Sequence, residues 1–314
     1  MTYRGRFADS LVVDQLDKIA LSFLVEDLEI HRGGVAANIA FGMANLGERP
    51  ILVGAAGEDF TEYRSWLERH GVDCDSVRIS ETRHTARFVC TTDDHMAQIA
   101  TFYAGAMSEA REIELGPVAT RVGGLDLVVI SSNDPEAMLR HTEECRTRNI
   151  PFAADPSQQL AFMGGESIRE LIDGATYLFA NEYEAALTEQ KTGWSSDEIA
   201  KRVHTRVITK GKDGALIATS GEEPLEIFVA TEVRKADPTG VGDAFRAGFL
   251  SGLAWGLGHQ RCAQVGSMLA AYVVETVGTQ EYELGRGRFL ERLTQAYGAE
   301  AGEEIEPLLT CPRP

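Results

Sequence analysis

The chain has 314 residues, of which 44% are hydrophobic, which is enough for one large α/β core with a small additional layer but disfavours two fully separate domains. Its formal charge of −18, without a block of basic residues, argues against a nucleic-acid or anionic-membrane partner. There is no apolar run of about 18 residues and no signal-peptide pattern, so we predict a cytoplasmic protein. The five cysteines and seven histidines lack the spacing of a disulfide framework, a metal site or a histidine-activated nucleophile.

Helical and strand-like segments alternate along the chain, which predicts a doubly wound, mostly parallel sheet with helices on both faces. The clearest predicted strands cover residues 51–55, 127–131, 177–180 and 207–209. The predicted helices cover residues 34–46, 61–70, 134–148, 181–189, 241–257, 261–275 and 288–297. Asp134 followed by Pro135 is a favourable start for the third of these helices.

Two stretches, residues 18–31 and 85–103, break this alternation. In a doubly wound fold such insertions can form a small β lid over the ligand. We therefore predict a β lid at residues 11–33 and 84–107 and an α/β core at residues 34–83 and 108–314.

Phe88 and Phe102 lie in the second of these stretches, on strand-like segments that flank a turn. If their faces point into the cleft, the two rings could stack on a flat ligand. Filling the lid's own core is an equally good interpretation of the pattern.

The motif D-P-T-G-V-G-D-A-F at residues 237–245 leads into a predicted amphipathic helix. Gly240 and Gly242 leave room for an anion to approach the backbone, and the amides and dipole at a helix start favour a phosphoryl group. Asp243, an ionised carboxylate in the first turn, suits a base that holds a hydroxyl and takes its proton late in a loose transition state. An ordinary capped helix start is the alternative for the four central residues.

Two further segments follow predicted strands. Asn181 and Glu184 lie three residues apart on one face of a predicted helix. Thr209, Gly211 and Gly214 belong to a strand and turn whose glycines permit close approach. An N-capped helix and an exposed turn are the purely structural alternatives.

Together these motifs resemble those of the ribokinase-like (PfkB) kinases of sugars and nucleosides, and the segment 31–38 is similar to that family's early Gly-Gly motif. The resemblance implies a ribokinase-like fold with Asp243 activating the acceptor hydroxyl. It implies an anion hole formed by the amides of Thr239, Gly240, Val241 and Gly242. It places Gly34 and Asn38 on the ribose, and Asn181 and Glu184 around Mg²⁺ through water. It implies ATP contacts by Asn181, Thr209, Gly211, Gly214, Gly240 and Gly242.

Within the family, segments 22–25, 84–88, 152–159 and 278–281 resemble bacterial adenosine kinases most. The resemblance to the wider family implies that the α/β core binds the nucleotide and that K⁺ stimulates the enzyme at Asp237 and Thr239. Exposed lid edges often pair with another subunit, so we expect a homodimer through the lid. The resemblance to adenosine kinases implies ATP-dependent phosphorylation of adenosine to AMP in purine salvage. It places five residues around the substrate purine: Ser22, Phe88, Phe102, Gln158 and Gln159.

Three other functions remain as alternatives. A ribose or fructose kinase would share the fold, and a non-catalytic nucleoside-binding protein would have no need of Asp243. A dinucleotide-binding oxidoreductase ranks last, because no G-x-G-x-x-G follows the first predicted strand.

One departure from the family concerns the start of the chain. Members of the family open with a central strand ending in an aspartate that binds two ribose hydroxyls, and we expect this strand to be missing here. Residues 11–14 imitate it, but only 18 residues separate Asp14 from Gly33, too few for a usual lid excursion. A start site assigned at an internal methionine would explain the gap, and we expect weak acceptor binding and slow turnover from a chain of this length.

Overall fold

The computed structural model describes residues 1–10, 21–95 and 97–310. Residues 11–14, which imitate the family's first strand, lie outside this part of the chain. No helix in the described ranges is long and apolar enough to cross a membrane.

The described elements alternate as the sequence predicts. The strands are β1 Thr2–Tyr3, β2 Val25–Asp27, β3 Gly54–Gly57, β4 Val77–Ser80, β5 Arg87–Thr92, β6 Gln98–Tyr103, β7 Val128–Ser131, β8 Phe152–Asp155, β9 Tyr177–Asn181, β10 Thr205–Thr209, β11 Ala215–Thr219 and β12 Leu225–Ile227. The helices are α1 Phe7–Ser10, α2 Val35–Asn45, α3 Thr61–Arg69, α4 Leu115–Val122, α5 Pro135–Arg148, α6 Gly165–Ile172, α7 Glu182–Thr192, α8 Ser196–Ala200, α9 Val241–Ala254, α10 His259–Val274, α11 Arg286–Tyr297 and α12 Ala299–Ile305.

A six-stranded sheet in the order β12-β11-β10-β9-β8-β7 forms the centre of the core. Strands β7 to β10 are parallel, and β11 and β12 run antiparallel at one edge. Successive side chains on a strand point to opposite faces. Ala153 and Phe179 accordingly pack in one hydrophobic cluster, while Ala154 and Leu178 pack in another. The sheet therefore has a packed layer on each face, which confirms the doubly wound α/β prediction.

Helices α9 and α10 pack closely together in the first of these clusters. Phe249 of α9 is fully buried and meets Phe179 edge-to-face, with ring centroids 5.5 Å apart. A Cβ atom at Gly248 would lie only 2.6 Å from the Cα atom of Gly266, so a glycine is needed where the two helix backbones meet. This packing fixes α9 against α10 and the central sheet.

A second sheet, in the order β2-β1-β5-β6, lies where the sequence predicts the lid. Strands β5 and β6 form an antiparallel hairpin in which Phe88 stands directly opposite Phe102. The sequence did not predict β1, whose two residues join β2 to β5. Strands β3 and β4 form a separate two-stranded parallel sheet.

Most predicted boundaries agree with the structure within a few residues. Asp134 caps α5 by accepting a hydrogen bond from the Ala137 amide, and Pro135 opens the helix as predicted. The strand predicted at 51–55 begins later, at Gly54, because Ile51 forms only an isolated bridge to Asp73. The sequence did not predict the short helices α1, α4, α6, α8 and α12, since eight or fewer residues give little periodic pattern.

Candidate functional site

The site is centred on the first turn of α9. Gly240 precedes this helix in a left-handed conformation, with φ at 78°, and a Cβ atom there would lie 2.8 Å from a methyl carbon of Thr279. Thr239 donates its amide hydrogen to Asp237, and Val241 donates to the Pro238 carbonyl. In the described chain, the amides of Gly240 and Gly242 have no protein acceptor. Two of the four amides predicted for the anion hole are therefore free to bind an anion.

The Asp243 side chain is partly buried beside these amides. Asn38 of α2 donates a hydrogen bond from Nδ2 to Asp243 Oδ2 at 2.8 Å. Burial is the main effect that raises the pKa of Asp243 above its ordinary value, and the charge of Glu184 acts in the same direction. Arg246 and the Asn38 hydrogen bond oppose this rise. The arrangement gives a carboxylate that is a better proton acceptor than an exposed aspartate.

A buried guanidinium balances the carboxylates of the site. Arg246, one turn after Asp243, places Nη2 2.6 Å from Asp155 Oδ1 and 3.8 Å from Glu184 Oε2. Asp155 ends β8, and its burial raises its pKa to about 6 despite the nearby Arg246. Neither residue was predicted from the sequence. The available signals were a charged residue in an apolar helix, for Arg246, and a carboxylate that ends an apolar strand, for Asp155.

Loop contacts hold the glycine motif in place. Asp237 accepts hydrogen bonds from the Thr239 amide at Oδ1 and from the Gly278 amide at Oδ2. Burial acts to raise the pKa of Asp237, but these hydrogen bonds and the charge of His31 outweigh it, so the pKa lies below its ordinary value. Asp237 is thus ionised and joins the loop before α9 to the loop after α10.

The residues predicted for the nucleotide lie at the carboxyl ends of β9 and β10. Asn181 and Thr209 are direct partners in the register of these parallel strands. Asn181 and Glu184 form a reciprocal capping box, each side chain accepting the other's amide hydrogen at 2.8 Å. Gly211 and Gly214 both have positive φ, at 56° and 89°. The capping role of Asn181 and Glu184 is therefore present in the structure, and their role at magnesium stays a prediction.

Glu184 can still serve a hydrated metal, because Oε2 makes the capping bond and Oε1 has no protein partner in the described ranges. Within the same ranges, no three His, Cys, Asp or Glu side chains are arranged to hold a metal ion by themselves. This donor set fits Mg²⁺ that is bound mainly by phosphates and water, the usual arrangement in phosphoryl-transfer enzymes.

The residues predicted for the purine come from two places. Phe88 and Phe102 share one face of the lid hairpin and are 68% and 59% exposed, so the lid does not bury them in a core of its own. Ser22 is exposed just before β2. Gln158 and Gln159 lie in a 3-10 turn directly after β8, beside the end of the strand that carries Asp155. The described contacts do not join the lid phenylalanines to Asp243.

The ribose contacts are predicted at Gly34 and Asn38. Gly34 precedes α2 with φ at 102°, which only glycine adopts readily. Asn38 is buried, and Thr279 and Gln280 donate hydrogen bonds to its Oδ1. Gln280 was not identified as a separate functional residue from the sequence, and no local pattern marks it.

Comparison with known proteins finds relatives over most of the chain. Residues 10–284 match the family described as pfkB family carbohydrate kinase. The curated nucleoside kinase of Methanocaldococcus jannaschii is 29% identical over 283 residues, which cover 90% of this chain and 91% of that protein. The structure of Burkholderia thailandensis nucleoside kinase in complex with inosine is 33% identical, covers 95% of both chains and has a TM-score of 0.83. The same kinase with ADP-inosine is 34% identical, covers 95% of this chain and 92% of that one, and has a TM-score of 0.81.

Proposed function

Because this chain belongs to the pfkB family of carbohydrate kinases, it is a phosphotransferase with an alcohol acceptor, and we propose that this acceptor is the 5′-hydroxyl of a nucleoside. Among nucleosides, we propose adenosine as the preferred substrate. ATP is the phosphoryl donor, and the products are AMP and ADP, as in purine salvage. The observation that carries this proposal is the carboxylate of Asp243, held by Asn38 beside the free amides of Gly240 and Gly242.

The chemistry follows from that geometry. The 5′-oxygen of the nucleoside forms a bond to the γ-phosphorus, the bond between the γ-phosphorus and the β,γ-bridging oxygen breaks, and ADP leaves. The proton of the attacking hydroxyl passes to Asp243 late in the step. The free amides of Gly240 and Gly242 and the positive end of the α9 dipole stabilise the charge on the transferred group.

The ATP phosphates are proposed to lie between the turn after β10 and the start of α9. Thr209, Gly211 and Gly214 line one side, and Asn181 and Glu184 lie next to Thr209. Mg²⁺ bound with ATP would neutralise phosphate charge, and Asn181 and Glu184 would orient its water ligands. We also propose that K⁺ binds near Asp237 and Thr239, which a comparison of rates in K⁺ and Na⁺ salts would test.

The choice of a nucleoside over a free sugar rests on the lid. Two exposed phenylalanine rings on one face of a hairpin, Phe88 and Phe102, suit a flat heterocycle, and the amides of Gln158 and Gln159 can bond to its edge. The Burkholderia relative bound to inosine supports this choice of substrate class. Inosine is therefore the main competitor to adenosine as the preferred acceptor.

The test is an ADP-release assay with adenosine, inosine, ribose and fructose as acceptors. We expect nucleosides to be phosphorylated with much higher kcat/KM than free sugars, and adenosine more efficiently than inosine. Phe88→Ala and Phe102→Ala should each reduce kcat/KM for the nucleoside by about tenfold and leave the reaction with a free sugar unchanged.

Val89 provides a matched control, because it lies on the same strand as Phe88 with its side chain on the opposite face. Val89→Ala should leave nucleoside kinetics unchanged. Efficient phosphorylation of ribose or fructose, unaffected by loss of the phenylalanines, would instead identify a sugar kinase. Adenosine binding without ATP consumption would identify a non-catalytic nucleoside-binding protein.

A further inference from the structure

We propose that Gln280 is a positioning residue for the phosphoryl transfer: it determines which end of the Asn38 amide faces Asp243, and it ties that amide to the Arg32–Gly33 turn. This inference rests on the proposed function of Asp243. Gln280 is 1% exposed and Asn38 is 8% exposed, so neither amide can replace a lost protein partner freely with water.

The orientation of the Asn38 amide decides whether a hydrogen-bond donor or an acceptor faces the Asp243 carboxylate. Its Nδ2 donates to Asp243 Oδ2 at 2.8 Å, and its Oδ1 accepts from Gln280 Nε2 at 2.9 Å. Rotating the amide by half a turn would place Oδ1 against the carboxylate and Nδ2 against the Gln280 amino group. Both new contacts would be repulsive, so the donor at position 280 holds Asn38 in the orientation that supplies a hydrogen bond to Asp243.

The orientation of Gln280 is determined in turn by Trp66. The indole nitrogen of Trp66 is a donor and never an acceptor, and it lies 3.2 Å from Gln280 Oε1. With Oε1 facing the indole, Nε2 must face Asn38 and the hydroxyl of Tyr63, which lies 2.5 Å away. The donor-only indole therefore sets the direction of the whole series of hydrogen bonds from Trp66 through Gln280 and Asn38 to Asp243.

The same series is attached to the turn that leads from the lid strand β2 into α2. Burial raises the pKa of Tyr63, so its hydroxyl keeps its proton and donates it to the Gly33 carbonyl at 3.0 Å. The Thr279 hydroxyl lies 2.9 Å from both the Arg32 carbonyl and Asn38 Oδ1, so its single proton is shared between them. The guanidinium of Arg32 lies over the Trp66 ring, 4.1 Å from its centroid. The position of this turn and the orientation of Asn38 therefore depend on one another.

Losing the Asn38 hydrogen bond should make Asp243 harder to ionise. The charged groups that face Asp243 are Arg246 on its own helix, Asp155 at the end of β8 and Glu184 at the start of α7. Two of these three are carboxylates, so the Asn38 N–H and Arg246 are the groups that favour the ionised form of Asp243. Without that N–H, the pKa of Asp243 rises. As the solution is acidified, the variant should therefore lose activity at a higher pH than wild type does.

The experiment compares Gln280→Leu and Trp66→Phe with wild type, using the acceptor that wild type phosphorylates best. We expect kcat to fall by about tenfold or more for Gln280→Leu, the usual effect of losing a hydrogen bond to a charged group. The acidic limb of the pH–rate profile should move to higher pH, and the KM for ATP should not change. Trp66→Phe should produce the same changes to a smaller extent, because it removes only the donor that orients Gln280.

Gln264 is the matched control, since it is a buried glutamine whose side chain bonds to Arg261 on its own helix α10. Gln264→Leu should leave kcat and the acidic limb as in wild type. Loss of activity in Gln280→Leu without a shift of the acidic limb would overturn the inference and indicate a purely structural role. Equal effects of Gln264→Leu would overturn it as well.

Crystal structures of the two variants test the inference independently of turnover and distinguish its failure from that of the proposed function. We expect the Asn38 amide, without the Gln280 hydrogen bond at its Oδ1, to move away from Asp243 in Gln280→Leu. If Asn38 Nδ2 stays within hydrogen-bond distance of Asp243 in both variants, Gln280 does not position it. If Gln280→Leu does not fold, the Trp66→Phe structure decides. A wild-type protein that phosphorylates none of the four acceptors would contradict the proposed function alone.

Discussion

At the scale of single residues, Asp243 is defined by the groups around it. An aspartate in the first turn of a helix is usually stabilised in its ionised form, which makes it a weak base. Here burial and the neighbouring Glu184 raise the pKa of Asp243, while Arg246 and the Asn38 hydrogen bond oppose the rise. The raised pKa makes this carboxylate a stronger base than an exposed aspartate, which favours general-base catalysis.

Replacing this carboxylate should remove catalysis without removing nucleotide binding. We expect Asp243→Asn to lower kcat by about a thousandfold, because the amide cannot accept the proton of the attacking hydroxyl. ATP affinity, measured by titration calorimetry, should be close to that of wild type. The exposed Asp197 in the first turn of α8 is a matched control, and Asp197→Asn should leave kcat unchanged. Near-normal turnover by Asp243→Asn would refute the catalytic role.

Asp155 gives a prediction for the dependence of stability on pH. Burial raises its pKa to about 6 in the folded protein, from an ordinary value of 3.8. A raised pKa means that the folded state binds the proton more tightly than the unfolded chain does. The resulting stabilisation is fully present below about pH 4 and is lost as the pH rises through about 6.

The Asp155→Asn variant lacks this titration. The difference in free energy of unfolding, variant minus wild type, should therefore become more positive by about 1–3 kcal/mol as the pH rises from 4 to 7. Urea denaturation at several pH values measures this difference, and the exposed control Asp197→Asn should show no such trend. A constant difference across the range would show that Asp155 is ionised throughout, paired with Arg246.

At the scale of secondary-structure elements, the site depends on how closely α9 approaches α10. Alanine normally stabilises a helix interior relative to glycine by about 1 kcal/mol. At Gly248 a Cβ atom would meet the backbone of Gly266 at 2.6 Å, and backbone cannot move aside as a flexible side chain can. Overpacking at a buried contact of this kind costs about 1–3 kcal/mol.

We therefore expect Gly248→Ala to destabilise the protein and to reduce kcat, since α9 carries Asp243. Gly287 in α11 is the matched control, because a Cβ atom there would meet nothing within 4 Å. Gly287→Ala should raise the melting temperature slightly and leave kcat unchanged. Equal effects of the two substitutions on thermal unfolding would contradict this account of the α9–α10 contact.

At the scale of the whole molecule, the lid hairpin has an open side. Every residue of β6 is exposed, and β6 is the last strand of its sheet among the residues that the structure describes. Ile99 and Tyr103 lie on the face opposite to the phenylalanine pair and are 43% and 48% exposed. Unpaired strand edges with apolar side chains commonly pair with another chain, so we predict a homodimer that forms through the lid.

Sedimentation velocity tests this prediction. Wild type should sediment as a dimer at micromolar concentration, and Ile99→Lys should shift it towards monomer by placing a charge at the apolar edge. Val122, an exposed apolar residue on α4, is the control, and Val122→Lys should leave the dimer intact. A wild-type protein that remains monomeric at all concentrations would contradict the prediction.

The amino-acid sequence by itself determined the α/β class, the order of most elements and the glycine-rich start of α9, where we propose the phosphoryl site. It could do so because these depend on local rules: apolar periodicity sets helices and strands, and glycine permits the left-handed conformation of Gly240 that precedes the helix. The capping by Asp134 and the start of α9 at Val241 follow from the same rules and are both present in the structure.

Only the tertiary structure decided how the base is held. Asn38, Asp155 and Gln280 are far from Asp243 in the chain, and their local sequence does not show that Asn38 bonds to Asp243 or that Gln280 bonds to Asn38. Burial and the balance of charges are properties of packed neighbours, so the raised pKa of Asp243 and the orientation of Asn38 appear only after the strands and helices meet. A site that depends on contacts 205 and 242 residues apart in the chain is beyond what local patterns can predict.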